Sequence, residues 1–189
     1  KDGTLLINET IIYNSEGNLK HGIFREIPLD NDMNIEMNSI TRNKKDEQYE
    51  TITSPKRVEY KIGDPKVYIA KDNIYQLKYT LFGVLKKVHE NSFQLYFNGI
   101  GDEWELPILK GEINIHFEDN QEIFENKNLS FKVYSANETE KEINSKFIKI
   151  KSLNRLKNRE AITFLLNFET NKIQMLGIKE KYEKDNYIN

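Results

Sequence analysis

The stretch YQLKYTL (Tyr75–Leu81) alternates strictly between large apolar or aromatic side chains and polar ones. Successive side chains of a β-strand point to opposite faces, so a period of two collects the apolar members on one face. Such alternation is typical of a half-buried strand, with one face in a core and the other in solvent. The stretch therefore predicts a strand of an antiparallel sheet that covers a hydrophobic core.

The same alternation recurs along most of the chain, separated by turn-forming clusters of Gly, Asn, Asp and Pro. Its apolar members are Leu5, Ile7, Ile11 and Tyr13; Val58, Tyr60 and Ile62; Ile113, Ile115 and Phe117; Leu129, Phe131 and Val133; and Ile162, Phe164, Leu166 and Phe168. Many short strands at this spacing predict an all-β fold, an antiparallel two-sheet β-sandwich of immunoglobulin-like or related Greek-key type.

Helix is expected to be minor, with at most one or two short segments. Two stretches dense in Glu and Lys, Glu138–Lys146 and Ile178–Tyr187, are the candidates. No linker, repeat or low-complexity segment interrupts the strand pattern. We therefore expect one domain over residues 1–178, followed by a charged tail over residues 179–189.

Composition bounds the class of protein. The 189 residues are 38% hydrophobic and 31% charged, which is the composition of a globular protein. The formal net charge is −2, so the protein as a whole has no positive potential that would attract nucleic acid. The absence of cysteine excludes disulfides, a thiol nucleophile and a thiolate zinc site. No apolar run approaches the roughly 18 residues that a membrane-spanning helix needs.

Several blocks together resemble one known family. They are Asp2-Gly3, GIFREIPL at Gly22–Leu29, IGDP at Ile62–Pro65, Tyr75 with Tyr79, and FQLYFNGIGDEWELPI at Phe93–Ile108. In order and spacing they resemble the bacterial predicted membrane proteins of domain-of-unknown-function family 2207, also called YciQ-like. The likeness covers about Asp2 to Phe117. Members usually carry a second tryptophan where this chain has Phe97-Asn98, which weakens the idea of a paired-tryptophan platform.

The resemblance implies a location but no reaction. Members typically have a secretion signal, one extracytoplasmic all-β domain and then membrane helices. It implies that this domain lies on the extracytoplasmic face of the bacterial cell membrane, at the periplasm or cell surface. Residues 179–189 would then be a tether towards a membrane segment outside this sequence, and membrane contact would come only through flanking helices.

Trp104 lies among the acidic residues Asp102, Glu103 and Glu105. One reading is a sugar-binding site in which Trp104 stacks on a ring while Asp102 and Glu103 accept its hydroxyls. The other is a structural tryptophan that closes one end of the sandwich, which we favour. These three residues are the ligand-binding candidates of the sequence.

Glu9 shares the inward face of its predicted strand with Leu5, Ile7 and Ile11. A buried carboxylate needs a partner, because an unpaired buried charge is very costly. Arg25, isolated in an otherwise apolar segment, is the obvious one. We expect a structural ion pair between Glu9 and Arg25 rather than a catalytic acid.

The sequence offers no catalytic or metal motif. His21, His89 and His116 are far apart without ligand spacing, and no nucleophilic serine motif occurs. The acidic clusters Asp30–Asp32 and Glu118–Asn120 offer oxygen ligands for calcium, but neither fits the EF-hand loop pattern, and such clusters are usually plain turns. We therefore expect no enzyme activity, no catalytic residues, no metal and no cofactor.

Two functions of different classes stay open. The first is a non-catalytic domain that senses, scaffolds or binds a protein or cell-envelope partner for its membrane protein. The alternative is a carbohydrate- or cell-wall-binding module, with Trp104 and the outward aromatics Tyr68, Tyr96 and Tyr134 as stacking surfaces. Neither involves nucleic acid.

Overall fold

The computed structural model describes residues 2–30, 32–117 and 128–175. These residues form fourteen strands and, within the described ranges, no helix. The strands are β1 (Leu5–Asn14), β2 (Ile23–Pro28), β3 (Asn34–Arg42), β4 (Lys45–Asp46), β5 (Tyr49–Ser54), β6 (Arg57–Ile62), β7 (Asp72–Phe82), β8 (Leu85–His89), β9 (Ser92–Ile100), β10 (Glu112–His116), β11 (Ser130–Ser135), β12 (Thr139–Ile143), β13 (Phe147–Ser152) and β14 (Ile162–Glu169).

The contacts of the chain fall into two compact units. The N-terminal unit is residues 4–83, and the C-terminal unit is residues 84–189 with residues 1–3. Each contains one four-stranded and one three-stranded sheet, and all the strand pairs are antiparallel. The expected all-β, antiparallel β-sandwich class is confirmed. One domain over residues 1–178 stays a prediction.

The N-terminal unit is built on the stretch that predicted the fold. Strand β7 lies inside the four-stranded sheet, whose order is β1-β7-β3-β4, and the second sheet has the order β2-β6-β5. The inward residues Tyr75, Leu77, Tyr79 and Leu81 are at most 3% exposed. Because β7 has a neighbour on both sides and a second sheet on one face, its apolar side chains fill the core.

The C-terminal unit repeats this plan with different strands. Its sheets have the orders β11-β14-β9-β8 and β10-β13-β12. The two sheets meet where Phe117, just after β10, packs edge-on against Phe168 of β14, with ring centroids 4.9 Å apart. The core is the inward face of β9 and β14, where Phe93, Leu95, Phe164, Leu166 and Phe168 are buried.

A β-bulge interrupts the pairing of β9 with β14. Ile162 lies opposite Ile100, but Thr163 lies opposite Asn98, so Gly99 is the extra residue of β9. A side chain at Gly99 would collide with Ile113 of the facing sheet. Glycine is suited to such a position, where a bulge and a close neighbour coincide.

One expectation about helices is wrong. Of Glu138–Lys146, residues Thr139–Ile143 form strand β12, which pairs with β13 along its whole length. Their charges suit an exposed edge strand as well as a helix, and here the backbone bonds to β13 decide the outcome. The other candidate, Ile178–Tyr187, and the expected tail over residues 179–189 lie outside the described residues.

Gly83 and Gly17 provide a matched test of backbone crowding in the N-terminal unit. Both have positive φ, 73° and 83°, but a Cβ at Gly83 would overlap the Asp32 carbonyl whereas one at Gly17 would meet nothing within 4 Å. We expect Gly17→Ala to cost about 1–2 kcal/mol of unfolding free energy, the strain of a left-handed alanine. Gly83→Ala should cost clearly more, measured by urea denaturation. Equal losses would show that the close approach to Asp32 adds no constraint.

Candidate functional site

The structure brings Glu9 and Arg25 together between the two sheets of the N-terminal unit. Glu9 lies on β1 and Arg25 on β2, and the Arg25 Nε donates to both Glu9 oxygens at 2.9 and 3.0 Å. The Tyr79 hydroxyl of β7 donates to Glu9 Oε2 at 3.3 Å, and Arg25 also donates to the Glu26 carbonyl. The Arg25 side chain is 8% exposed and that of Glu9 is 19% exposed.

The electrostatics of this cluster favour the charged pair. Burial on its own lowers the pKa of Arg25, yet Glu9 and Tyr79 reverse the effect and the pKa of Arg25 is raised. Burial, with Glu9 beside it, raises the pKa of the Tyr79 phenol strongly. Arginine is therefore charged and tyrosine neutral, and the hydroxyl donates to the carboxylate. With Arg25 and Tyr79 on the carboxylate of Glu9, the arrangement suits fixing β1 against β2 rather than proton transfer.

The Trp104 block forms a loop between β9 and β10. One isolated bridge, Ile108 with Leu156, and a hydrogen bond from the Arg159 amide to the Trp104 carbonyl at 2.9 Å attach it to the β13–β14 connection. Trp104 is half-buried, Glu103 is half-buried and Asp102 is exposed. Trp104 is therefore neither a flat exposed platform nor a fully buried plug. A role for Asp102, Glu103 and Trp104 in binding stays a prediction.

Two of the outward aromatics meet on one surface, which the sequence did not indicate. Tyr96 of β9 and Tyr134 of β11 are 60% and 48% exposed, and their ring centroids are 6.4 Å apart at an interplanar angle of 58°. They lie on the outer surface of the four-stranded sheet, on either side of β14. We call this surface the tyrosine face; its members are Gln94, Tyr96, Asn98, Lys132, Tyr134, Thr163, Leu165 and Asn167.

Polar side chains of the tyrosine face are held in position by one another. The Thr163 hydroxyl donates to Asn98 Oδ1 at 2.6 Å, and Gln94 Nε2 donates to Asn167 Oδ1 at 2.9 Å. Thr163 is buried although it faces outward, consistent with rings above it. Two amphipathic rings beside ordered amides make a surface suited to a ligand with both apolar and hydrogen-bonding groups.

Tyr68 is not part of this surface. It belongs to the N-terminal unit, where its ring stacks on His21 at a centroid distance of 4.4 Å and the His21 Nδ1 lies 3.0 Å from the Val67 carbonyl. His89 and His116 are exposed on separate strands. The described residues contain no group of three or more His, Asp or Glu side chains that could hold a metal ion. Glu118–Asn120 lie outside them.

A shallow hollow in the N-terminal unit is lined by Arg42, Asn43, Lys45, Asp46 and Glu47. It is weakly suited to a charged ligand, because two cations and two anions line it. Arg42 is also bonded to Glu47 and contacts Asn73 Oδ1 at 3.4 Å. The hollow therefore offers no excess charge to a ligand.

Removing Arg25 tests the ion pair. We expect Arg25→Ala to cost about 3–5 kcal/mol of unfolding free energy, because it leaves the Glu9 carboxylate without its cation inside the sandwich. The control is Arg57→Ala. Arg57 pairs with Glu26 at 3.0 Å but is 55% exposed, so its loss should cost about 1 kcal/mol or less. Similar losses in the two variants, by urea denaturation, would contradict a special role for Arg25.

Two buried tyrosines should make the free energy of unfolding fall at alkaline pH. Burial raises the pKa of Tyr60 to about 12, and it raises the pKa of Tyr75 to about 12 although Arg42 opposes the rise. An unfolded tyrosine titrates near pH 10. Between pH 10 and 12 the unfolded chain releases these protons and the folded chain keeps them, so stability is full below pH 10 and falls through this range.

The substitution Tyr75→Phe isolates one of these groups. The Tyr75 hydroxyl is buried with no hydrogen-bond partner among the described residues, so its removal should leave stability at pH 7 unchanged or raised. It should also reduce the loss of unfolding free energy between pH 10 and 12, measured by urea denaturation at each pH. Tyr68→Phe, which alters an exposed ring, serves as the control. A steeper alkaline loss in Tyr75→Phe would reject this account.

Comparison with known families agrees with the resemblance in the sequence. Residues 1–168 match the family described as the N-terminal domain of predicted membrane protein DUF2207. No curated protein and no solved structure matches the chain. Among the described residues, no helix has the length and apolar character that crossing a membrane requires. The match spans most of the chain, and the protein therefore belongs to the DUF2207 family of predicted membrane proteins, as its N-terminal domain.

Proposed function

We propose that this chain is a non-catalytic recognition domain on the extracytoplasmic side of a bacterial membrane protein, and that it binds an envelope partner through the tyrosine face. The observation that carries the proposal is the pair of exposed rings, Tyr96 and Tyr134, 6.4 Å apart on an ordered sheet. Tyrosine gives a large contact area at low conformational cost, and aromatic side chains are enriched where proteins bind one another.

The setting of the face supports recognition. Sheet backbone fixes both tyrosines, and the neighbouring Asn98 and Gln94 have their side chains held by hydrogen bonds to β14. Lys132 lies on the same surface, beside Leu165 and Tyr96 in the strand register. A pre-organised surface loses little freedom on binding, which favours affinity.

The acidic groups support a role other than catalysis. Glycosidase-type catalysis needs two carboxyl groups that face each other in one cleft. Glu9 is occupied by Arg25 and Tyr79 between the sheets. Asp102 and Glu105 are exposed on a loop, where Glu105 lies 3.5 Å from Arg159. The proposal accordingly includes no cofactor and no metal.

A second candidate function is a carbohydrate- or cell-wall-binding module, and the composition of the tyrosine face favours it. A sugar ring has an apolar C–H face that stacks on aromatic rings and hydroxyls that need amide or ammonium partners. Tyr96 and Tyr134 offer the first, while Gln94, Asn98 and Lys132 offer the second. A protein partner would use the same rings with a wider surrounding contact.

Two assays separate these partners, one on the 189-residue chain and one on the membrane protein that contains it. Sedimentation with purified peptidoglycan sacculi tests the wall polymer. Photo-crosslinking in intact cells, from a probe at position 96 of the membrane-bound protein, tests a protein partner, with position 68 as the control. If the chain does not sediment with sacculi and the probe at position 96 crosslinks to no protein, the tyrosine face is not the binding surface. Turnover of cell-wall fragments or glycosides that disappears in Asp102→Ala or Glu103→Ala would reject a non-catalytic domain.

The double variant Tyr96→Ala, Tyr134→Ala should weaken binding at least about tenfold, because truncating aromatic anchors at the centre of an interface usually costs more than 1 kcal/mol. Its unfolding free energy should change little, since both rings are exposed. The matched control is Tyr68→Ala, 56% exposed in the other unit. Equal weakening by Tyr68→Ala would place the binding surface elsewhere.

A further inference from the structure

Strand β1 is the longest sheet edge among the described strands. It has ten residues, LLINETIIYN, and pairs with β7 over all of them without a bulge. It lies at the end of its sheet, and no described strand or loop makes a backbone hydrogen bond to its other side. Such an edge presents a row of free N–H and C=O groups that can pair with another strand.

The other edge strands of the described sheets carry the usual protection against pairing. Each has between two and six residues, and outward charges, a proline or a bulge occur on them. Examples are Pro28 on β2, Lys86 and Lys87 with a bulge on β8, and Glu140-Lys141-Glu142 on β12. Strand β1 has no proline, no lysine and no outward charge, and its one charge, the inward Glu9, is neutralised by Arg25. This contrast is typical of an edge strand that pairs with a further strand.

The side chains of β1 are incompletely covered on both faces. The outward Ile12 and Leu6 are 80% and 58% exposed, and Ile12 lies opposite the 47% exposed Ile74 of β7. The inward residues of β1 are only half-buried, whereas those of β7 are buried. One more strand alongside β1 would cover both sets and would also shield the Glu9–Arg25 pair.

We propose that β1 pairs with β1 of a second copy of this chain, antiparallel about a two-fold axis at Glu9, so that two four-stranded sheets become one. The sequence of β1 is self-complementary in this register. Leu6 lies opposite Ile12 of the second copy, Ile7 opposite its Ile11, and Asn8 opposite its Thr10, while Leu5 lies opposite its Tyr13.

Alternative registers are poorer. A shift of one residue puts every side chain on the wrong face. A shift of two puts Ile12 opposite Asn8 or Thr4 and sets Glu9 against Ile11 or Ile7, which mixes polar with apolar neighbours. In the proposed register the two Glu9 carboxylates face each other, and each is compensated by its own Arg25 at 2.9 Å. The contact is isologous and closes on itself, so it uses the free edge of both copies.

The first test is the oligomeric state of the full chain by size-exclusion chromatography with light scattering over a concentration series. We expect a reversible dimer, and Ile12→Lys should raise its dissociation constant at least tenfold by placing a charge on the pairing edge. Ile52→Lys is the control, because Ile52 is 52% exposed on the edge strand β5 of the same unit. Circular dichroism melting establishes that both variants fold.

The second test fixes the register. The chain has no cysteine, so Leu6→Cys and Ile12→Cys chains each carry one thiol. Opposite residues of an antiparallel pair have Cα atoms about 4.5–5.5 Å apart, within disulfide range. Two copies of position 12 would be about 20 Å apart. Oxidation of the mixed variants should therefore give a covalent dimer, whereas each variant alone should not.

Three results would overturn the proposal. One is a monomer at every soluble concentration, which would show that the β1 edge does not pair with a second copy. Another is the formation of oligomers larger than a dimer, which a closed two-fold contact does not allow. The third is a dimer in which the mixed variants cross-link no better than either variant alone, which would place the contact on another surface or in another register.

Discussion

The buried guanidinium of Arg25 is the constraint on which the N-terminal unit depends. A cation in the interior must be compensated at close range, and the compensation comes from Glu9 on the facing sheet. Tyr79, on the central strand of that sheet, donates to the same carboxylate. The cluster therefore ties β1, β2 and β7 into one relative position. Apolar packing alone tolerates small slips between sheets, whereas this geometry does not.

The sequence was sufficient where a side chain's environment follows from alternation along one strand. Tyr75–Leu81 became the interior strand β7, and the inward parity of Glu9 together with the isolated Arg25 singled out the two residues that meet. Both inferences need only the period of two and the cost of a buried charge. They do not require knowledge of which strands are neighbours.

Inference from the sequence was insufficient where the order of strands decides the outcome. Tyr96 and Tyr134 are far apart in the chain and come together because β14 places β9 and β11 on its two sides. No local pattern encodes that order. The prediction of a helix over residues 138–146 was wrong for a related reason. The charges of this stretch fit either a helix or an edge strand, and the backbone hydrogen bonds to β13 decide between them. Trp104 is half-buried in a loop that the Ile108–Leu156 bridge and the bond from the Arg159 amide attach to a distant part of the chain, which no local pattern encodes either.

The bulge at Gly99 has a consequence for how this surface can change in evolution. Tyr96 and Asn98 face outward and Phe97 faces Phe164 by regular alternation, and the skipped Gly99 accommodates the one extra residue before Ile100. Deleting Gly99 would bring Asn98 next to Ile100 with the partners that both already have, Thr163 and Ile162, so the bulge would be lost and both faces of β9 would stay as they are. A point substitution can alter this surface gradually. A length change of one residue elsewhere in β9 would exchange the faces of the strand on one side of the change, whereas at the bulge the strand can change in length and keep the tyrosine face.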